Sequence, residues 1–184
     1  MLNESGHLDG AKELANVVNY LDYKEYLRSL YRALKDKKKK YSYIQFSDDL
    51  GFSKTNVIHL MIRGKRPLTA KSAKRISQSL GLSGVQKRYF ELLVLYQNSR
   101  NPREREEFFK NLLDEEIEQA LRTLPEEMLL AILLVDVEGF SYQELAETLN
   151  WPLGTVMSRL YRGRRKLRTQ LQNLAQRRGY AKQR

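Results

Sequence analysis

The 184-residue chain contains no cysteine and only two histidines, His7 and His59. Without thiols it can form no disulfide, no thiolate metal site and no cysteine nucleophile. It also lacks a glycine-rich phosphate loop, metal-ligand spacing and any nucleophile paired with a base. These absences predict a protein that is not an enzyme and that binds neither a metal nor a cofactor.

Long apolar runs are absent as well. No stretch approaches the roughly 18 apolar residues that a membrane-spanning helix needs. Residues 1–6 have neither the basic start nor the apolar stretch of a signal peptide. We therefore expect a cytoplasmic protein with no membrane partner.

The net charge of +11 is distributed unevenly along the chain. Residues 1–97 contain 18 Lys and Arg against 9 Asp and Glu, residues 98–150 contain 5 against 13, and residues 151–184 contain 10 against none. Two basic blocks favour a polyanionic partner, because cations that neutralise phosphates release counterions. The run of four lysines at 37–40 is more simply a solvated surface. That interpretation fits poorly for an acid-free C-terminal block.

Nearly all of the chain is predicted to be helical, because apolar residues recur at steps of three and four and strand-like alternation is missing. We expect an all-α fold with two helix-turn-helix domains joined by a helical linker. The polar sequence NSRNP at 98–102 is the best boundary. The expected organisation is a disordered segment at 1–12, a first domain at 13–97, an acidic helical linker at 98–112, a second domain at 113–176 and a basic tail at 177–184.

The first helix-turn-helix pattern is predicted from helices at 43–50 and 54–62 with a turn at Gly51, where Val57 and Leu60 pack inward. We expect its second helix and the turn that follows to contact DNA through Lys54, Thr55, Asn56, His59, Arg63, Lys65 and Arg66. The side chains on the helix can read base edges, and the cations at its end can clamp phosphates. A helical hairpin with solvated polar residues is the alternative, which spacing alone leaves open.

The sequence FSDDLGFS at 46–53, followed by RGKR at 63–66, resembles the Cro and phage-repressor type of helix-turn-helix. The resemblance extends over about 40–82. The sequences LDY at 21–23 and YFELLV at 89–94 resemble the headpiece of an uncharacterised bacterial regulator family. Tyr43 stands where the Cro pattern has Gln, and the stretch at 60–64 is one residue longer, which shifts the implied base contacts by about one residue.

Further helices are predicted at 14–34, on apolar periodicity, and at 126–137, after a proline that suits a helix start. Ser141 followed three residues later by Glu144 is a capping-box pattern and predicts the start of another helix. A long basic helix completes the chain.

The second half carries a more specific resemblance. The sequences ALRTLPEE at 120–127, DVEGFSYQELA at 136–146 and PLGTVMSRL at 152–160 resemble region 4 of bacterial extracytoplasmic-function sigma factors over about 113–175. The resemblance implies a four-helix domain whose last helix reads the −35 promoter element. It also implies RNA polymerase core as a partner for other surfaces of the domain.

The last helix supplies the second set of expected DNA contacts. These are Thr155, Met157, Ser158, Arg159, Tyr161, Arg162, Arg165 and Lys166. The N–H groups of Gly154 and Thr155 are expected to be free at the helix N-terminus, where they suit a phosphate. Met157 departs from the family, which has Lys or Arg at that place. A basic surface helix without a specific ligand is the alternative.

Residues 128–135 are all apolar, including positions where the family commonly has charges. A helix that is apolar all round is usually buried on more than one side. We therefore predict that Leu129, Leu130 and Val135 form an interface with a second copy or another domain, and that the protein is a homodimer. The alternative is that these residues enlarge the local core.

The expected function is that of a nucleoid-associated transcription regulator that binds double-stranded DNA sequence-specifically. No part of the sequence resembles sigma region 2, so a self-sufficient sigma factor is not expected. Two alternatives stay open. One is an adaptor that engages RNA polymerase or an anti-sigma partner, and the other is a nucleoid-type protein that binds DNA without sequence preference.

Overall fold

A computed structural model describes residue 8 and residues 15–38, 40–53 and 55–177 of the chain. The predicted disordered segment at 1–12, except Leu8, lies outside the described residues, as do Lys54 and residues 178–184 of the predicted basic tail. The α-helices are, in order, α1 (Tyr23–Lys37), α2 (Tyr43–Asp49), α3 (Val57–Ile62), α4 (Ala70–Ser79), α5 (Gly84–Asn98), α6 (Pro102–Arg122), α7 (Glu126–Ile132), α8 (Tyr142–Thr148) and α9 (Leu153–Arg177). A 3₁₀ turn precedes α1, and a π-helical turn follows α7. No strand occurs among the described residues, so the all-α fold is confirmed.

The chain divides into two compact units, residues 1–115 (unit 1) and residues 116–184 (unit 2). The division falls within α6 rather than at the polar segment 98–102. The first part of α6 belongs to unit 1, because Leu112 is fully buried in the core of that unit. Glu115 supports the same assignment through its ion pair with Arg88 of α5.

Unit 1 has an aromatic core. Tyr26, Phe46, Tyr89 and Phe90 are completely buried there, and the rings of Tyr26 and Phe90 lie 5.6 Å apart in a tilted arrangement. The tyrosines of α1 therefore pack inward, at positions such as Tyr26. These buried aromatic side chains stabilise unit 1 together with the aliphatic residues of the same core.

The first long helix starts at Tyr23 and not at residue 14 as predicted. The side chain of Asp22 accepts a hydrogen bond from the backbone N–H of Lys24 at 2.7 Å and caps the helix. The preceding Val17–Asn19 segment is a 3₁₀ turn that Asn16 caps in the same way. The start of the helix is therefore set by hydrogen bonds from the backbone to the side-chain oxygens of Asn16 and Asp22, although the apolar periodicity continues through this segment.

Unit 2 has a smaller, aliphatic core. Its fully or nearly fully buried members are Leu124, Ala131, Ile132, Leu145, Val156 and Leu160. The helix predicted over 126–137 is α-helical only to Ile132, and Leu133–Val137 forms a π-helical turn. Leu133 and Val137 are 39% and 68% exposed in that turn, so the apolar stretch is only partly accommodated by the core of its own unit.

Candidate nucleic-acid interface

In unit 2, α8 and α9 are joined by a tight turn. The predicted capping box at the start of α8 is present: Glu144 N–H donates to Ser141 Oγ at 3.2 Å, and Ser141 N–H donates to Glu144 Oε2 at 2.8 Å. The turn itself passes through Asn150 at φ +51°, and the Trp151 N–H donates to the Ala146 carbonyl at 2.9 Å. These bonds fix where α9 begins.

The N-terminus of α9 differs from the prediction in one respect. The backbone N–H of Thr155, expected to be free for a phosphate, donates to the Pro152 carbonyl at 2.8 Å. The half-buried Ser158 is engaged by the same turn, because its hydroxyl donates to the Thr155 carbonyl at 3.0 Å. Both residues close the first turn of the helix on itself, as happens where a tight turn precedes a helix.

A glycine lets α9 approach α7 closely. Gly163 is buried, and a Cβ atom at that position would lie 2.9 Å from Ile132 Cδ1 and 3.2 Å from Met128 Cβ. Both distances are shorter than ordinary packing contacts. The position of α9 on unit 2 therefore depends on the absence of a side chain here.

Arg159 is held by the protein itself. Its Nη2 lies 2.6 Å from Glu127 Oε2 at the start of α7, and its guanidinium carbon lies 3.9 Å from the centroid of the Trp151 ring. Only 22% of the side chain is exposed. An ion pair and a cation–π contact thus connect α9 to α7 and to the turn. In this arrangement Arg159 positions the helix, and its predicted role in reading bases stays a prediction.

Two further cations of α9 also have partners within unit 2. Arg164 forms a two-pronged ion pair with Asp136, with its Nε 3.0 Å from Oδ2, and its Nη1 donates to the Tyr142 hydroxyl at 3.2 Å. The bond to Asp136 raises the pKa of Arg164 above its usual value. Lys166, one of the predicted DNA contacts, donates to the Thr123 carbonyl at 3.2 Å.

The remaining predicted residues of α9 face solvent. Met157 is 51% and Tyr161 66% exposed, and Arg162 and Arg165 are exposed as well. In the described part of the chain, neither arginine forms an ion pair. Arg168 shares these properties, and sequence reasoning missed it, although it lies one helical turn beyond Arg165 on a related face. This outward face of α9, comprising Met157, Tyr161, Arg162, Arg165 and Arg168, is the candidate interface of unit 2.

In unit 1, α2 and α3 are held together through a buried serine. The Ser47 hydroxyl donates to the Tyr43 carbonyl at 2.9 Å and accepts from the Ile58 N–H at 3.3 Å. Between the helices, Gly51 adopts φ +81°, a conformation that favours glycine. The turn predicted at Gly51 is present.

The second helix of this pair is shorter than predicted. It begins at Val57 and not at residue 54, and it contains six residues. Leu60, predicted to pack inward, is 38% exposed, whereas Ile58 and Met61 are buried. The later start places Asn56 at the N-cap. Val57, the other residue predicted to pack inward, is buried as expected. The outward positions of α3 change accordingly.

The His59 ring belongs to a stack of three rings that leads out from the core. Tyr31 and Tyr43 stack at a centroid distance of 3.7 Å, and Tyr43 and His59 stack at 4.5 Å. Arg63 Nε donates to His59 Nε2 at 3.3 Å, so both residues are engaged with each other. Burial raises the pKa of the Tyr43 hydroxyl above its usual value. His59 therefore lies half-buried and is not presented freely on the outer face as predicted.

The other predicted contacts of unit 1 that the structure describes are exposed. The Thr55 hydroxyl donates to the Phe52 carbonyl at 3.1 Å and helps to close the turn. Asn56, Lys65 and Arg66 are exposed. Thr55 and Arg63 are exposed as well.

The residues predicted to form a dimer or domain interface are not uniformly exposed. Leu129 and Val135 are half-buried and pack against the core of unit 2. Leu130 is 36% exposed. Two of the three residues thus enlarge the local core, which was the alternative interpretation, and the homodimer stays a prediction.

Two other kinds of feature, a metal-binding cluster and a helix that could span a membrane, are not found among the described residues. They contain no group of three or more His, Cys, Asp or Glu side chains that could hold a metal ion. None of the helices in this part of the chain is long and apolar enough to cross a membrane.

The region that contains α7, α8 and the first part of α9 is similar to known proteins. Residues 114–167 match the sequence profile of the family described as "Sigma-70, region 4". A segment of 73 residues, 40% of this chain, is 40% identical to the ECF RNA polymerase sigma factor SigE of Mycolicibacterium smegmatis and covers 28% of that protein.

Two further relatives show the same extent of similarity. The ECF RNA polymerase sigma-E factor of Escherichia coli strain K12 is 37% identical over 70 residues, which are 36% of this chain and 37% of that protein. The corresponding factor of Haemophilus influenzae is 35% identical over 68 residues, 37% of this chain and 36% of that protein. The chain thus spans about a third of the length of these curated relatives. Its C-terminal region is similar to region 4 of sigma-70 factors.

Proposed function

We propose that this protein is a non-catalytic transcription regulator that binds double-stranded chromosomal DNA sequence-specifically through the outward face of α9. The observation that carries the proposal is the division of the cations on this helix. Arg159, Arg164 and Lys166 are occupied within unit 2, whereas the arginines of the outward face have no ion-pair partner among the described residues. The similarity to sigma-70 region 4 supports a DNA-binding role for the same region.

The geometry of α9 suits the major groove of DNA. The helix extends over Leu153–Arg177, and no acidic residue occurs in it. A helix of this kind can lie in the groove with the side chains of its outward face against the base edges, while its other exposed cations contact phosphates. Phosphate contacts would supply affinity, and base contacts, from Arg162 and Arg165 among others, would supply specificity.

Unit 1 is proposed to be a second DNA-contacting module of the Cro-like type. Its support is the α2–turn–α3 arrangement, with Arg63, Lys65 and Arg66 at the end of α3. Because α3 is short and the His59 ring is engaged by its neighbours, we expect this module to clamp phosphates more than to read bases.

The test is a selection from a random 20-base-pair duplex pool with the full chain. We expect the wild type to enrich a defined sequence motif. An Arg162→Ala, Arg165→Ala variant should bind the enriched duplex at least tenfold more weakly, because each base-reading contact contributes about 1–3 kcal/mol. An Arg100→Ala, Arg103→Ala variant is the matched control, since it removes the same charge from exposed residues outside both helix-turn-helix segments.

Three results can follow from this selection. An enriched motif that only the α9 variant fails to bind supports the proposal. Binding without any enriched motif would instead identify a non-specific, nucleoid-type DNA-binding protein. Equal reductions in the affinity of the α9 variant and its control would show that total charge, rather than α9, governs binding.

A specific observation favours an adaptor as the second candidate. Leu130, Leu133 and Val137 are exposed apolar residues on α7 and the turn after it, not on α9. Contiguous apolar residues at a surface are typical of protein-interaction sites. RNA polymerase core, an anti-sigma partner or a second copy of this chain would suit them. Capture of polymerase core by the wild type, and its loss in a Leu133→Glu, Val137→Glu variant that still binds DNA, would support the adaptor role.

A further inference from the structure

The first turns of α9 expose a row of apolar side chains. Leu153, Met157 and Tyr161 are 41%, 51% and 66% exposed. Residues four apart lie next to one another on a helix surface, so the three side chains form one ridge. With a rise of 1.5 Å per residue, the ridge is about 12 Å long, which corresponds to three or four base pairs.

The surroundings of this ridge are cationic. Met157 and Tyr161 line an open groove of about 640 Å³ together with Arg165 and Arg168, among other residues. No acidic residue lies on α9. An occupant of this surface must therefore present apolar groups next to negative charge.

Duplex DNA meets both requirements at this spacing. Phosphates flank the major groove, which is about 12 Å wide, and the only apolar group on a base edge in that groove is the C5-methyl of thymine. An acidic amphipathic protein segment shares the general chemistry. It would not, however, distinguish thymine from uracil.

The thioether side chain of Met157 cannot read guanine. Guanine presents two hydrogen-bond acceptors in the major groove, N7 and O6, and methionine carries no donor to pair with them. Covering those acceptors with an apolar side chain would remove them from water without compensation, which is unfavourable. Contact with a thymine methyl group instead buries apolar surface on both sides.

We infer that Met157 is a specificity-determining residue that selects a thymine, through its C5-methyl group, and disfavours guanine at the same place. The inference rests on the proposed function and deepens it, because it assigns a base to one position of the DNA site. Leu153 and Tyr161 extend the same apolar contact to the neighbouring base steps.

The experiment uses the duplex that the wild-type protein enriches from the random pool. A series of duplexes is prepared from it, and in each of them a single thymine is replaced by uracil. Uracil pairs like thymine and lacks only the methyl group. We expect uracil to weaken wild-type binding about three- to fourfold at one or two positions, the effect of one buried methyl-sized group. The Met157→Ala variant should show no such weakening at the position that Met157 contacts.

Two further variants sharpen the result. Ile117→Ala removes a partly exposed apolar residue of α6 and should keep the discrimination between thymine and uracil. Met157→Arg should enrich guanine in place of that thymine when the selection is repeated, because arginine donates to N7 and O6.

The inference is overturned if wild-type protein binds the uracil duplexes as tightly as the thymine duplex. It is also overturned if Met157→Ala keeps the full discrimination, or if Met157→Arg still selects thymine at that place. Failure of the proposed function looks different, because no duplex would then be enriched by the wild type.

Discussion

The two helix-turn-helix segments differ in how many of their polar and cationic side chains are already bound by other residues of the protein. In unit 1, the His59 ring is engaged by Tyr43 and Arg63, and α3 has only six residues. In unit 2, α9 extends over Leu153–Arg177, and three of its cations anchor it while others on its outward face have no ion-pair partner among the described residues.

This difference teaches that a basic helix has to be divided into anchoring and available cations before its function is inferred. A cation held in a two-pronged ion pair, as Arg164 is by Asp136, would have to lose that partner before it could contact a phosphate. Arg165 is exposed and has no ion-pair partner among the described residues, so it can contact a phosphate without first breaking an ion pair. The proposed division of labour, with base reading by α9 and phosphate contacts by unit 1, follows from that distinction.

The largest expected effect tests how α9 is seated. Gly163→Leu should lower the free energy of unfolding of unit 2 by about 1–3 kcal/mol, because the new side chain must displace Ile132 and Met128. Trp151, the only tryptophan of the chain, lies in unit 2, so its fluorescence during urea unfolding reports on that unit. An unchanged midpoint would show that α9 does not depend on this close approach.

Arg159→Ala tests the distinction between anchoring and available cations. Removal of the cation–π interaction with Trp151 and of the ion pair with Glu127 should lower the unfolding free energy of unit 2 by about 1–2 kcal/mol. Arg165→Ala removes a similar charge from a residue without an ion pair and should leave stability unchanged. If the two variants unfold at the same urea concentration, Arg159 is not an anchor.

A smaller effect is expected in the aromatic core of unit 1. The Tyr26 hydroxyl is buried and forms no hydrogen bond with the described residues, and burial raises its pKa above the usual value. Tyr26→Phe should therefore raise the free energy of unfolding by about 1 kcal/mol. Tyr89→Phe is the matched control and should lower it by about 1 kcal/mol, because the Tyr89 hydroxyl donates to the Tyr20 carbonyl at 2.9 Å. Circular dichroism during thermal unfolding measures both, and a destabilised Tyr26→Phe variant would contradict the assignment.

The smallest effect compares the two capping boxes. The box of unit 1 uses Gln45, which does not titrate, whereas that of unit 2 uses Glu144, whose pKa the hydrogen bonds to Ser141 lower from its ordinary value of 4.5. A lowered pKa in the folded state means that the stabilisation is complete above the unfolded value and is lost as the pH falls through the folded value. Glu144→Gln should therefore remove a small part of the acid-induced loss of stability below about pH 4.5. Trp151 fluorescence at pH 2–6 checks this, and identical pH profiles for wild type and variant would contradict it.

The sequence predicts the second half of the protein better than the first. The capping box at Ser141 is recognisable because its residues are adjacent in sequence, and the region-4 resemblance is confirmed by the comparison. The partners of Arg159 and Lys166 could not be predicted, since Glu127 and Thr123 approach them only after the helices pack.

The errors in unit 1 have local causes. The start of α1 at Tyr23 depends on one hydrogen bond to Asp22, and the start of α3 at Val57 on a turn whose residue Ser53 adopts φ +58°. Neither the hydrogen bond to Asp22 nor the turn at Ser53 can be recognised in the sequence with enough certainty to override the helix starts that apolar periodicity predicts. In α3, Val57 is buried as predicted, but Met61 takes the core position that was predicted for Leu60.

The most direct test of the division between base reading and phosphate binding is the salt dependence of affinity for the enriched duplex and for random duplex. For Arg162→Ala, Arg165→Ala, we predict that the ratio of specific to random affinity falls at least tenfold. For Lys65→Ala, Arg66→Ala, we predict that both affinities fall together, the ratio is kept and the slope of log K against log salt decreases by up to about 2, close to one for each phosphate that the variant no longer neutralises. A ratio that falls in the unit 1 variant and is kept in the α9 variant would reverse the assignment and contradict the proposed roles of both units.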